Sequence, residues 1–220
     1  MIRIPRRTLL LLLVLFSSAV LCRGQQHAAD RPNIIFIYID DMGYGDLSCY
    51  GNVEMQTPNI DRLAKEGIKF TDFYVSSPVC SPSRAGVVTG EYPARNRING
   101  YIDSRWKNQQ REMADYLNPE APTIARTFQK AGYATAHIGK WHLGGGRDIG
   151  NVPLPATYGY DKTLVAFEGP GNRVLIRNSA LLNAASARLG HGHITWVDHD
   201  YQKTPLFVDT AIDFIAHHGA

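Results

Sequence analysis

The chain has 220 residues, 44% of them hydrophobic and 20% charged, with a formal net charge of +3. That length holds one domain or somewhat more, with room for a sizeable core. The charge is local: Arg3, Arg6, Arg7 and Arg23 stand among the first 24 residues without an acid beside them, and without them 19 basic residues face 20 acidic ones. A net charge of −1 for the remainder offers nothing that suggests a nucleic-acid surface.

The early arginines precede an apolar run, Leu9 to Phe16, continued through Ser17 to Leu21. It is too short for a comfortable membrane span and has the layout of a secretory signal, so residues 1–24 are expected to be removed, with the cut at the latest near residue 29. An uncleaved amino-terminal anchor is the competing possibility, and Arg6-Arg7 also suits a twin-arginine signal. The expected destination is the periplasm or the exterior, with no stable membrane insertion after cleavage. Of the three cysteines only Cys49 and Cys80 would remain, too few for a disulfide scaffold, although the two could bridge each other.

Asn33 to Ile39 is a continuous β-rich apolar run of the kind expected for a central parallel strand covered on both faces. It ends in Asp40-Asp41. Two adjacent carboxylates at the carboxyl end of a buried strand need a cation nearby, and a hard divalent ion with oxygen ligands suits them; a solvated turn is the bland alternative. Thr57 to Gly67 has a cap, a proline at the first helical position, apolar residues at helical spacing and a terminal glycine, which predicts a helix. Ile68 to Val75 then reads as the second strand of a βαβ unit with a right-handed crossover.

Cys80-Ser81-Pro82-Ser83-Arg84 follows. Pro82 suits a first helical turn and Ser81 can cap it, which places Cys80 at the positive end of a helix with Arg84 one turn along the same face. Such a site favours an anionic nucleophile and an anionic substrate. A buried free cysteine in a strand-to-helix turn is the alternative.

Residues 95–118 are polar, with Arg95, Arg97, Arg105, Lys107 and Arg111 scattered through them, and are expected to form a solvated surface excursion. Pro122 to Gly132 repeats the helix-then-glycine pattern, Tyr133 to Ile138 repeats the strand, and Gly139-Lys140-Trp141-His142 stands at its carboxyl end. In an extended segment Lys140 and His142 would face one side and Trp141 the other. Gly144-Gly145-Gly146 reads as a flexible loop, and Lys162 to Phe167 as the next strand. His191, His193 and His199, with Asp198 and Asp200, lack a recognised zinc spacing. Leu206 to His217 predicts an amphipathic helix.

Two of these stretches, Cys80-x-Pro82-x-Arg84 with its trailing Thr89-Gly90, and Gly132-Tyr133-Ala134-Thr135-Ala136-His137-Ile138-Gly139-Lys140-Trp141-His142, closely resemble the signatures of the type I, formylglycine-dependent sulfatases, arylsulfatases among them. Asp40-Asp41-Met42-Gly43-Tyr44-Gly45-Asp46-Leu47 resembles that family's first metal-binding element, and Pro153 to Asp161 resembles the segment before its next strand. The resemblance implies an alkaline-phosphatase-like α/β/α sandwich, of which residues 30–220 would be the amino-terminal part of the catalytic domain, incomplete at the carboxyl end. It implies Cys80 oxidised to formylglycine by a formylglycine-generating enzyme, and Ca2+ held by Asp40, Asp41 and the modified Cys80. It also implies Arg84 and Lys140 neutralising charge, Lys140 binding sulfate, and His142 hydrogen-bonding the formylglycine. The hydrated aldehyde has one hydroxyl to attack sulfur and a second that lets the carbon collapse to aldehyde and expel sulfate.

The expected activity is hydrolysis of the sulfate monoester of a sulfated small molecule or glycan. The family's later histidine, second pair of metal ligands and second lysine would lie beyond residue 220. A phosphonate or phosphodiester hydrolase using the same aldehyde, and a truncated non-catalytic relative, are the alternatives.

Overall fold

The computed structural model describes residues 31–179, 187–188 and 192–218. The expected signal, residues 1–24, and His191 lie outside them. The chain divides into two units, Met1–Tyr38 and Ile39–Ala220. In the first, residues 31–38 form no helix or strand, and the side chains of Ile34, Ile35, Phe36 and Ile37 are exposed.

The second unit is an α/β arrangement around a four-stranded sheet. Its strands are β1 (Ala136–Lys140), β2 (Lys162–Ala166), β3 (Arg173–Ile176) and β4 (Ile194–Val197), lying in that order and all parallel. Among the described residues it is accompanied by the helices α1 (Pro58–Glu66), α2 (Cys80–Thr89), α3 (Arg105–Gln110), α4 (Ile124–Lys130) and α5 (Lys203–His218). No helix among the described residues is long and apolar enough to cross a membrane.

The helix-breaking and proline signals in the sequence act as expected, whereas Thr57 makes no side-chain capping bond to α1 and donates its hydroxyl to Asp61 Oδ1 at 2.9 Å instead. Pro58 occupies the first turn of α1 and Gly67 ends it, its N–H bonded to the Leu63 carbonyl at 2.9 Å. In α4 the Thr123 hydroxyl caps the Arg126 N–H at 3.3 Å and donates to the Tyr158 carbonyl at 2.6 Å, so the same cap ties the helix to the turn that precedes β2. Gly90 closes α2 with φ at +69°, a left-handed turn that a side chain would strain.

Two expected strands are absent. Residues 33–39 and 68–75 carry no ladder, and Ile68, Phe70, Phe73, Tyr74 and Val75 are exposed. The βαβ unit with its crossover is therefore not formed as a hydrogen-bonded pair. An apolar run becomes a central strand only when a ladder and two covering layers accept it, and among the described residues nothing supplies these. Conversely, β3 and β4, where the sequence suggested no element, build half of the sheet.

The excursion at 95–118 also differs from expectation. Its basic side chains are solvated at Arg95, Arg105 and Arg111, but Ile98, Ile102, Met113 and Leu117 between them are buried in the main core with Trp141, Leu143, Tyr158 and Val165. Four apolar side chains, each contributing about 1.5–3 kcal/mol of burial, outweigh a polar average.

Gly144, Gly145 and Gly146 lie outside helix and strand, as expected of a loop, but they are buried. A Cβ on Gly146 would lie 2.3 Å from Glu168 Cγ, and one on Gly144 2.4 Å from Tyr116 Cβ, so glycine here permits close packing.

Candidate functional site

The carboxyl end of β1 gathers the charged groups. Lys140, its last residue, donates from Nζ to Asp40 Oδ2 at 2.5 Å across 100 residues of sequence. Arg84, on the first turns of α2 and 8% exposed, donates from Nη1 to the Lys140 carbonyl at 2.9 Å and places Nη2 3.4 Å from Asp40 Oδ1. Three residues remote in sequence thus converge on one point. Burial pushes the Asp40 carboxyl up, but the Lys140 ammonium and the Arg84 guanidinium together hold it below the usual carboxylate range.

Cys80 is half-buried, free of any disulfide, and is the first residue of α2. The helix cap lies two residues before the expected Ser81: Val79 is the capping residue, without a side-chain bond. Ser81 is buried, and its hydroxyl instead accepts the Ile102 N–H at 3.0 Å. The Ile102 carbonyl accepts from His142 Nε2 at 3.1 Å. Ile102 therefore couples the helix that begins with Cys80 to His142, a link that no local signal in the sequence announces.

His142 does not share an extended face with Lys140. Its φ is +49°, and its buried ring meets Phe167 edge-on at 4.6 Å. The turn follows from the ladder: the N–H groups of Trp141 and His142 bond the carbonyls of Ala166 and Phe167 at 3.1 and 3.2 Å, which carries the β1–β2 pairing past Lys140. Trp141 does pack away from the site, 1% exposed in the core.

Around His142 lies a buried set of charges that sequence reasoning missed. Glu168 Oε2 is 3.5 Å from His142 Nε2, while Arg147 Nε reaches Glu168 Oε1 at 2.9 Å and Asp103 Oδ1 at 3.0 Å. Burial drives the Glu168 carboxyl up in spite of Arg147. Burial pushes both His142 and His137 down to about 4. With Nε2 donating to Ile102, His142 is the neutral tautomer whose Nδ1 carries a lone pair, and that buried atom has no partner among the described residues.

These shifts predict acid sensitivity. The two histidines titrate at about 4 when folded against an ordinary 6.5, so the unfolded chain takes up protons first and stability falls as pH drops from 6.5 towards 4. The slope is about 1.4 kcal/mol per pH unit for each histidine. Glu168, raised above its ordinary 4.5, opposes them with one proton against two. The urea midpoint is expected to fall between pH 6.5 and 4.5; a midpoint that rises would contradict the burial of these rings.

Asp41 sits at φ +54° in the turn after Asp40. No group of three or more His, Cys, Asp and Glu side chains gathers as a metal cluster among the described residues. The donors present nevertheless suit calcium in kind: two adjacent hard carboxylates and the position of Cys80, fewer than the six to eight oxygens that calcium takes. His193 and His199 form no such cluster either.

A family model for the sulfatases matches residues 32–219. The chain belongs to the sulfatase family. It is 45% identical to human (Homo sapiens) steryl-sulfatase over 128 residues, 56% of this chain and 21% of that protein. With the N-acetylgalactosamine-6-O-sulfatase of Bacteroides thetaiotaomicron it shares 41% identity over 143 residues, 62% of this chain and 27% of that one. A solved structure from work on glycosaminoglycan metabolism in Bacteroides thetaiotaomicron superposes with a TM-score of 0.52 at 40% identity, covering 61% of this chain and 28% of its own. The chain thus matches about a quarter of the length of these sulfatases, and its parallel sheet with flanking helices is part of their alkaline-phosphatase-like fold.

Proposed function

We propose that this sulfatase chain carries the nucleophile side of a site that hydrolyses sulfate monoesters. The observation that carries the reading is the convergence of Asp40, Arg84 and Lys140 at the end of β1, on the helix that begins with Cys80. A cation-rich seat next to a helix amino terminus favours an ester of a strong acid.

Asp40, Asp41 and the oxygen replacing the Cys80 thiol would hold Ca2+. When present, calcium supplies charge to polarise sulfate oxygens, and formylglycine supplies a hydrated aldehyde as nucleophile. The chain's own residues do the rest. Lys140 offers its ammonium to the sulfate, and Arg84, anchored on the Lys140 carbonyl, keeps the seat positive and fixes α2 against β1. His142 holds its proton on Nε2 through Ile102 and presents Nδ1 as a neutral acceptor for a hydroxyl proton. Formation of the aldehyde calls for a formylglycine-generating enzyme as maturation partner, and export would follow from the amino-terminal segment.

The test compares initial rates on an aryl sulfate and an aryl phosphodiester, after mass spectrometry has shown that the Cys80 peptide has lost its sulfur. Faster sulfate release is expected. A faster phosphodiester reaction, or no turnover of the sulfate by the converted protein, would overturn the assignment.

A further inference from the structure

The link between β2 and β3, residues 167–172, is unusual for parallel neighbours. β3 starts level with the end of β2, Arg173 pairing with Val165, so the link is a tight turn and not a helical crossover. Phe167 and Glu168 both adopt φ +53°, a left-handed conformation that costs non-glycine residues about 1–3 kcal/mol each. Strain of that kind persists where the surroundings hold a side chain in a required place.

Beneath this turn lies a cavity of about 70 Å³, bordered by Phe167, Glu168, Arg173, Ile176 and Lys203. By the same measure a single water needs roughly 10–15 Å³, so the space admits a small chemical group. Arg173 is 4% exposed, its Nε has no hydrogen-bond partner, and no carboxylate lies within ion-pair distance of it among the described residues. An unpaired buried guanidinium costs several kcal/mol, and burial pulls its pKa below the usual arginine value. Lys203 adds a second cation, paired with Asp200. Glu168 uses Oε1 on Arg147, while its buried Oε2 lacks a hydrogen-bond donor. With Arg173 unpaired and Lys203 beside it on the border, the cavity therefore suits an anion.

Phe167 joins this cavity to the sulfate seat. Lys140 Nζ lies 4.9 Å from the centre of its ring, and Phe167 is also one of the residues that border the cavity. We propose that the cavity is a second anion subsite, which takes a carboxylate or second sulfate of the substrate while the scissile sulfate occupies the Lys140 seat. The substrate class is then a sulfate ester that carries a second anionic group. This rests on the sulfate-ester reading above for the identity of the first anion.

Binding tests it independently of turnover. In the Cys80→Ala protein, calorimetry compares a neutral sugar bearing one sulfate, the same sugar with a second sulfate or a carboxylate, and inorganic sulfate. The second anion is expected to tighten binding about tenfold or more, as a charge-assisted pair would, and Arg173→Met is expected to return the ratio to near one. Arg173→Lys should keep most of the gain. Should Arg173→Met fail to fold, Lys203→Met is expected to reduce the same ratio, and so is added salt. A ratio near one in the Arg173 protein, or one that neither variant changes, overturns the subsite. Inorganic sulfate binding with the full Arg173 dependence, with no gain from the second anion, marks a free-anion site and overturns the substrate assignment. Absence of turnover in the matured Cys80 protein, with the binding ratio intact, would count against sulfate-ester chemistry and leave the subsite supported.

Discussion

Replacing Cys80 by alanine is expected to lower sulfate release by roughly 10⁴-fold or more, the scale seen when a covalent nucleophile is removed. The fold should survive. Cys80 is half-buried at the first position of α2, makes no disulfide, and alanine is at least as good a helix former. The melting temperature therefore serves as the control, and ion chromatography of released sulfate as the measurement. Serine at the same position separates nucleophilicity from the aldehyde. A single hydroxyl can attack sulfur but cannot re-form a carbonyl to expel sulfate, so Cys80→Ser should release at most one equivalent of alcohol per protein and then stop. Sulfate release that continues in Cys80→Ala would remove Cys80 from the chemistry altogether.

How much of this was legible depended on whether the controlling interaction was local. Pro58 and Gly67, or Thr123, mark helix ends through bonds that close within a turn, and the helices stand where those residues put them. Arg84 could be singled out because it lies one turn along the helix from Cys80, and Lys140 through the resemblance of its stretch to the sulfatase signature. Their mutual bond through the Lys140 carbonyl, across 56 residues, could not be read from either stretch.

The misreadings share the opposite cause. Ile34 to Ile37 and Phe70 to Val75 have strand composition, but a strand needs a partner, and composition does not report whether one is within reach. Arg173 to Ile176 is the reverse case: a short run opened by a charged residue between Gly171-Asn172 and Arg177-Asn178 looks like loop, yet it finds β2 and β4 on its two sides. Glu168 was invisible for a related reason. A glutamate between Phe167 and Gly169 reads as a surface residue, and only the close approach of Gly146 and the ion pair with Arg147 bury it beside His142. Glycine runs suggested freedom where the fold uses them for contact.

Converting Asp40 to asparagine is expected to reduce kcat/KM by roughly 100-fold or more, comparable to losing a transition-state donor, and to abolish stabilisation by calcium. In the present arrangement the Asp40 carboxylate is shared by Lys140 at 2.5 Å and Arg84 at 3.4 Å. A neutral amide leaves those two cations facing each other without a counter-charge and removes one hard anionic ligand, so both metal affinity and the poise of Lys140 towards sulfate suffer together. Thermal unfolding with calcium and with a chelator separates these effects from activity. The unsubstituted protein should melt higher with calcium, by mass action on the folded state, whereas Asp40→Asn should give the same midpoint in both. Its own midpoint should fall below that of the unsubstituted protein in chelator, since the repulsion between Arg84 and Lys140 is present with or without metal. A calcium-dependent rise that persists in Asp40→Asn would place the ion on other ligands, and an undiminished kcat/KM would mean that the carboxylate only pins Lys140 to the end of β1.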